Sequence, residues 1–166
     1  ITGGGFPLAA IGASADIMCH FDKSAVGEDG WLMQLGTLSG NPVAAAAGLK
    51  TMEVLRRNGT YEKLRASGGA LQKMQSDALT AAGIPHKICG DETLFDIWFT
   101  DKTCRDYRSA RHDDPDMNRV YNEVLREQGV FKSPGKLYPS LALTDEDFQL
   151  TAHAVSMATE VVAARL

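Results

Sequence analysis

A loop of small and hydroxyl-bearing residues runs from Gly36 to Pro42 and leads into a helical pattern. Thr37 and Ser39 supply hydroxyl donors, and backbone N–H groups at the start of a helix are free to bind an anion. Such donors, together with the positive end of a helix dipole, suit a phosphate. The pattern predicts an anion site, although a loop in which Ser39 or Asn41 merely caps the helix explains it as well.

Three consecutive glycines, Gly3 to Gly5, precede Phe6 and Pro7. Glycine permits positive φ angles and a close approach of backbone to a ligand. A dinucleotide fingerprint would lead into a helix, and a Walker loop would contain Gly-Lys-Ser/Thr; this segment fits neither. Taken alone, the triplet is typical of a tight turn between two strands.

Taken together, the two motifs indicate a family. The order G-G-G-F-P-L-A-A-I-G (residues 3–12), followed by G-T-L-S-G-N-P-V-A-A-A-A-G (residues 36–48), resembles the class III aminotransferases. Within that family it is most similar to the glutamate-1-semialdehyde aminomutase branch and its amino-acid transaminase relatives. The resemblance covers nearly the whole chain, and residues 84–136 match only loosely.

The resemblance implies a fold type I enzyme of the α/β class that uses pyridoxal 5'-phosphate. In this family a Lys-x-x-Gly-Gly-Gly segment contains the lysine that forms a Schiff base with the cofactor, so that lysine is expected immediately before Ile1. The family's Gly-Thr loop binds the phosphate of the cofactor held by the neighbouring subunit. By that match, the Gly36 backbone and Thr37 bind phosphate in a homodimer with shared active sites.

The same resemblance places residues 133–138 at the border of the substrate pocket. Lys136 or Tyr138 is expected to bind a substrate carboxylate there. Some relatives that act on β-amino acids have arginine in this loop, and lysine lacks the bidentate geometry of arginine. An exposed lysine in a turn is the alternative explanation for Lys136.

The expected activity is amino-group transfer between an amino acid or amine and a keto acid or aldehyde. Residues 1–58 are expected to finish the large cofactor-binding domain, and residues 59–166 to form a small α+β C-terminal domain. An aminomutase, or a racemase or lyase on the same fold, is an alternative. A small phosphate-binding module that is not an enzyme is another.

Composition limits the partners. A net charge of −4 and a pI of about 5.5 argue against a nucleic-acid surface, and no stretch has the roughly 18 apolar residues of a membrane helix. Three unpaired cysteines, Cys19, Cys89 and Cys104, favour a reducing compartment, so a cytoplasmic location is expected. The four histidines have no spacing typical of a metal site, and no metal is expected.

The elements that position these motifs follow from periodicity and capping. Residues 8–14 are predicted to be a buried strand, residues 24–36 a loop anchored by its apolar side chains, and residues 42–58 a helix capped by Asn41. The inward face of that helix is predicted to consist of Val43, Ala46, Ala47, Thr51, Val54 and Leu55. From Thr60 onward the predicted order is helix, strand, strand, helix, strand, helix, a small sheet with helices on one face. The predicted strands span residues 86–90, residues 94–100 and Leu137 to Leu143, and a capping-box variant at residues 144–147 is predicted to start the last helix.

Overall fold

The computed structural model describes residues 2–165, and the chain divides between Asn58 and Gly59 into two compact units. In the first unit, helix α1 spans Ala15–Met18, a 3-10 turn spans Cys19–Phe21, helix α2 spans Lys23–Gly30 and helix α3 spans Pro42–Leu55. In the second unit, α4 spans Thr60–Ala81, β1 Lys87–Asp91, β2 Leu94–Trp98, α5 Pro115–Glu127 and α6 Asp145–Ala163; a further 3-10 turn spans Ser109–His112.

Two predictions for the first unit are wrong. Residues 8–14 are not a strand, because no strand among residues 2–165 pairs with them, and Ile11 is 71% exposed. Part of the predicted loop 24–36 is helix α2, whose first turn is capped by the carboxylate of Asp22 accepting from the Ser24 N–H at 2.9 Å. Gly27, with a φ of 73°, interrupts that helix, and Leu35 is too exposed to serve as an anchor.

Helix α3 begins as its sequence predicts. Asn41 Oδ1 accepts from the N–H groups of Val43 and Ala44 at 3.0 and 3.1 Å, and Pro42 occupies the first turn. The predicted inward face is only partly correct: Ala47, Thr51, Val54 and Leu55 are half-buried and Val43 and Ala46 are exposed, while the fully buried residues are Ala44 and Gly48. A Cβ at position 48 would collide with Leu8, so the small residues let another segment approach this helix closely.

The second unit is built around an antiparallel hairpin packed on helices. The register of β1 and β2 pairs Lys87 with Trp98 and Asp91 with Leu94, close to the predicted strands. The prediction of a third strand from Leu137 to Leu143 is wrong beyond its first residue. Only Leu137 forms a bridge, and its partner is Phe95. Pro139 follows two residues later and has no N–H with which to extend a ladder.

The core of the second unit lies between α4, α5 and α6. Its largest fully buried side chains are Tyr121, Leu79, Leu125, Gln75, Val155 and Val162. The Tyr121 ring packs edge-on against Phe99 with 5.5 Å between ring centroids, and burial raises the pKa of its hydroxyl. This core is the rigid support for the loops on the surface of the unit.

Candidate cofactor and substrate site

The two motifs of the first unit border one cavity. Its volume is about 650 Å³. It is lined by Pro7, Leu8, Ala9, Ala10, Ile11, Gln34, Leu35, Gly36, Thr37, Leu38, Ser39, Gly40, Asn41, Ala44 and Ala45. The segment after the glycine triplet therefore faces the Gly-Thr loop, although the two are separated by more than twenty residues of sequence.

The Gly-Thr loop is a tight double turn. The Ser39 N–H donates to Gly36 O at 3.0 Å, and the Asn41 N–H donates to Leu38 O at 3.2 Å. A Cβ at Gly36 would lie 2.7 Å from Ser39 Oγ, so a side chain there would push Ser39 aside. Gly40 has a φ of 73°, which favours glycine. The loop thus favours glycine at position 40 through its backbone conformation, and at position 36 through the close approach of the Ser39 hydroxyl.

The N-terminal end of helix α3 offers few free N–H donors of its own. Pro42 has no N–H, the N–H groups of Val43 and Ala44 are capped by Asn41 Oδ1, and the Ala45 N–H donates to Asn41 O at 2.9 Å. This arrangement agrees with the capping explanation for Asn41. The helix can still contribute the field of its dipole to the cavity.

The available donors belong to the turn itself. Within residues 2–165, no hydrogen-bond partner is found for the Thr37 hydroxyl or for the backbone N–H groups of Thr37, Leu38 and Gly40. Thr37 is exposed on this loop. None of the residues that line the cavity is acidic. A phosphate therefore fits this site by charge and by donors, and Thr37 is the side chain best suited to bind it.

The glycine triplet forms the predicted turn, but within residues 2–165 no strand flanks it. The Phe6 N–H donates to Gly3 O at 3.0 Å, and Gly4 and Gly5 have φ angles of 57° and 96°. The turn directs residues 7–11 to the cavity wall. The lysine expected before Ile1 lies outside the described residues.

In the second unit, Lys136 and Tyr138 border another cavity, of about 340 Å³. Its other lining residues are mostly apolar: Leu71, Val130, Phe131, Lys132, Ser133, Leu137, Leu143 and Thr151. Tyr138 is 45% exposed, and Lys136 is also exposed. The structure thus brings the two predicted substrate residues to the rim of one apolar hollow.

Lys132 is a residue that sequence reasoning missed. Its ammonium lies 3.3 Å from Asp96 Oδ1, and the two side chains are only 6% and 11% exposed. Burial raises the pKa of Asp96, and the nearby Lys132 charge opposes that rise. The alternation of Asp96 with Phe95 and Ile97 in a strand was a signal that Asp96 does not share their face, but nothing in the local sequence identified its partner.

Other titratable groups near the hairpin do not form a metal site. Burial raises the pKa of Asp113, whose carboxylate accepts from the Phe99 N–H at 2.7 Å and from Asn118 Nδ2 at 3.2 Å. Burial also raises the pKa of Cys89 to about 11, which disfavours the thiolate. Across residues 2–165 no cluster of three or more His, Cys, Asp or Glu could hold a metal ion, and no helix is long and apolar enough to cross a membrane.

With this geometry in view, comparison with known proteins defines the class. A family model described as "Aminotransferase class-III" matches residues 1–158. The chain belongs to the class III aminotransferase family, which confirms the resemblance read from the two glycine motifs.

Individual relatives agree with that assignment. A glutamate-1-semialdehyde 2,1-aminomutase from Desulfosudis oleivorans is 34% identical over 157 residues, which cover 93% of this chain and 36% of the relative. An omega-transaminase structure from Sphaerobacter thermophilus has a TM-score of 0.81 at 28% identity, over 98% of this chain and 37% of that one. A beta-phenylalanine aminotransferase structure from Variovorax paradoxus has a TM-score of 0.78 at 25% identity, with the same coverage.

The expected fold class is confirmed by these structures, which are transaminases that match almost the full chain. This chain spans about a third of the length of the curated relatives it matches. The comparisons do not test individual site residues, so the roles of Gly36, Thr37, Lys136 and Tyr138 stay predictions, as do the domain boundaries.

Proposed function

We propose that the full-length protein is a pyridoxal-phosphate-dependent aminotransferase that moves an amino group between an amino acid or amine and a keto acid or aldehyde. The main support is membership of the class III family, together with a Gly-Thr loop whose unpaired donors border a cavity lined by no acidic residue. The same family membership supports pyridoxal 5'-phosphate as the cofactor. The bound cofactor supplies an aldehyde that accepts the amino group and a ring that withdraws electrons from the substrate.

In this proposal the residues of this chain bind and orient. The Thr37 hydroxyl and the N–H groups of the turn hold the cofactor phosphate, while Gly36 allows the turn to keep its shape. Lys136 attracts a substrate carboxylate, and the Tyr138 hydroxyl donates to it. Residues 1–58 complete the large domain and residues 59–166 form the small domain. The three free cysteines support a reducing, cytoplasmic location.

A glutamate-1-semialdehyde-type aminomutase is the second candidate, because curated relatives with that name are 34–35% identical to this chain. The two activities separate in a half-reaction. An aminotransferase converts an external amino donor to its keto product at the expense of the bound cofactor's visible absorbance band. A mutase shows net isomerisation of one amino aldehyde and little turnover of external donors.

The role of Thr37 is tested by the Thr37→Ala variant of the full-length protein. Removing a hydroxyl that donates to a charged phosphate costs about 1.5–3 kcal/mol, so the Kd for the cofactor should rise about tenfold or more. Absorbance titration of the apoenzyme measures this Kd. Thr37→Ser keeps the hydroxyl and is the matched control, which should bind nearly as the wild type does. Equal affinity in all three proteins would refute the assignment.

The shared active site makes a separate prediction about mixed dimers. One parent carries Thr37→Ala, and the other lacks the lysine expected before Ile1. If Thr37 serves the partner's cofactor, the mixed dimer contains one site with both an intact lysine and an intact Thr37. Activity at low cofactor concentration should then rise above that of either parent. No recovery in a dimer verified by differential tagging would show that Thr37 acts within its own subunit.

A further inference from the structure

The buried pair of Asp96 and Lys132 differs from the other ion pairs of the chain. Among residues 2–165, every other ion pair leaves both side chains at least 42% exposed, whereas these two are nearly enclosed. Taking two charges out of water opposes much of their attraction, so such a pair is weak support for stability by itself. The hydrogen bonds of this pair indicate a second role, which is to hold the 133–138 loop in place.

The Lys132 ammonium is shared among three oxygens. It donates to Asp96 Oδ1 at 3.3 Å, to Ser133 O at 3.1 Å and to Pro134 O at 3.4 Å. A lysine ammonium has three N–H groups, so its donors are fully used. Pro134 O also accepts from Asn122 Nδ2 at 3.4 Å. The beginning of the 133–138 loop is therefore tied to strand β2 and to helix α5.

The other end of the 133–138 loop is hydrogen-bonded to Phe95, the residue before Asp96 in strand β2. The Leu137 N–H donates to Phe95 O at 2.7 Å, and the Phe95 N–H donates to Leu137 O at 3.3 Å. Between the two attachments, the Lys136 N–H donates to Ser133 O at 3.3 Å and closes a turn. Phe95 and Asp96 thus hold both ends of the segment that presents Lys136.

We propose that Asp96 and Lys132 form a positioning pair that fixes the loop of Lys136 and Tyr138 for recognition of a substrate carboxylate. This inference rests on the proposed function. Lys132 does not bind the substrate in this scheme: its ammonium is buried and its donors are used. It acts through Lys136, by fixing the backbone from which that side chain extends.

The test uses the full-length holoenzyme and amino donors that differ only in a carboxylate. The pairs are β-phenylalanine with 1-phenylethylamine and L-alanine with ethylamine. The half-reaction, followed by the cofactor absorbance, gives an apparent Kd for each donor. In Lys132→Met the Kd for the amino acids should rise about tenfold, while the Kd for the amines stays within about twofold of wild type. A general loss of structure would affect both members of a pair.

Two further variants test whether Lys132 acts through Lys136. Lys136→Met should show the same selective loss, and the double variant should be no worse than Lys136→Met alone, because the pair acts through that residue. Lys73→Met removes an exposed lysine from its pair with Asp77 and is the control, with no effect on any donor. If Lys132→Met does not fold, Asp96→Asn keeps the side-chain shape and should shift the same constants in the same direction.

The outcomes separate the two levels of inference. A wild-type protein that reacts with none of the four donors contradicts the proposed aminotransferase function. A reactive wild type and a selective Lys136→Met, combined with an unchanged Lys132→Met and Asp96→Asn, overturns the positioning role alone. Additive losses in the double variant also overturn it, because Lys132 would then act independently of Lys136.

Discussion

The two units of the chain bury their apolar side chains to very different extents. In residues 59–165, Leu79 and Leu125 are 0% and 1% exposed, within a core that three helices share. In residues 2–58, Ile11 is 71% exposed and Leu35 78%. The residues buried in that first unit are small: Gly3, Ala44 and Gly48.

This difference shows that the two candidate sites depend on different supports. Burial of apolar surface stabilises by roughly 25 cal/mol per Å², and the second unit gains this from its own residues. The first unit gains little, and exposed apolar area of this extent marks surface that packs against other protein. Within this chain, the Gly-Thr loop therefore has little buried apolar surface to support it, whereas the 133–138 loop rests on the packed core of its own unit.

The largest expected effect tests this contrast directly in the 166-residue chain. Leu125→Ala should lower the free energy of unfolding by about 2–5 kcal/mol, because it opens a cavity in a packed core. Leu49→Ala, at a position 69% exposed, should change it by no more than about 0.5 kcal/mol. Urea unfolding followed by circular dichroism measures both.

The full-length protein sharpens the same comparison. There, Leu49→Ala should become clearly destabilising if other parts of the full-length protein, or of the proposed homodimer, cover α3. A Leu49→Ala change that already matches Leu125→Ala in the 166-residue chain would mean that the first unit has a core of its own, and the contrast between the units would be lost.

Sequence alone predicted the elements whose signals are local. Asn41 and Pro42 mark the start of α3, and Thr144 and Asp147 form the capping box of α6, because caps depend on residues two or three apart. The hairpin of β1 and β2 was also predicted. The family motifs were equally local, which is why the sequence alone indicated the class III family.

Features that depend on distant partners could not be read from the sequence. The run 8–14 has strand-like composition, but a strand requires a neighbour to receive its hydrogen bonds. The burial of Gly48 on α3 was missed because it depends on Leu8, a residue far away in sequence, with which a Cβ at position 48 would collide. The partner of Asp96 was missed for the same reason, since Lys132 lies 36 residues further along the chain.

The smallest effect concerns the helix caps of the two units. In the 166-residue chain, Thr144→Ala should lower stability by about 1 kcal/mol, because it removes the side-chain acceptor of the Asp147 N–H and the Oγ1 donor to the Asp147 carboxylate. This loss should appear as a shift of the main urea transition, and Thr144→Ser should restore most of it. Asn41→Ala removes an equivalent cap from α3.

The response to Asn41→Ala should nevertheless be local. Because α3 is supported by little core within its own unit, its opening need not unfold α4, α5 and α6. We expect faster hydrogen exchange at the Val43 and Ala44 amides, which Asn41 Oδ1 protects, and an unchanged urea midpoint. If Asn41→Ala instead moved the main transition as far as Thr144→Ala does, the two units would unfold together. The Gly-Thr loop would then share the stability of the core that supports Lys136.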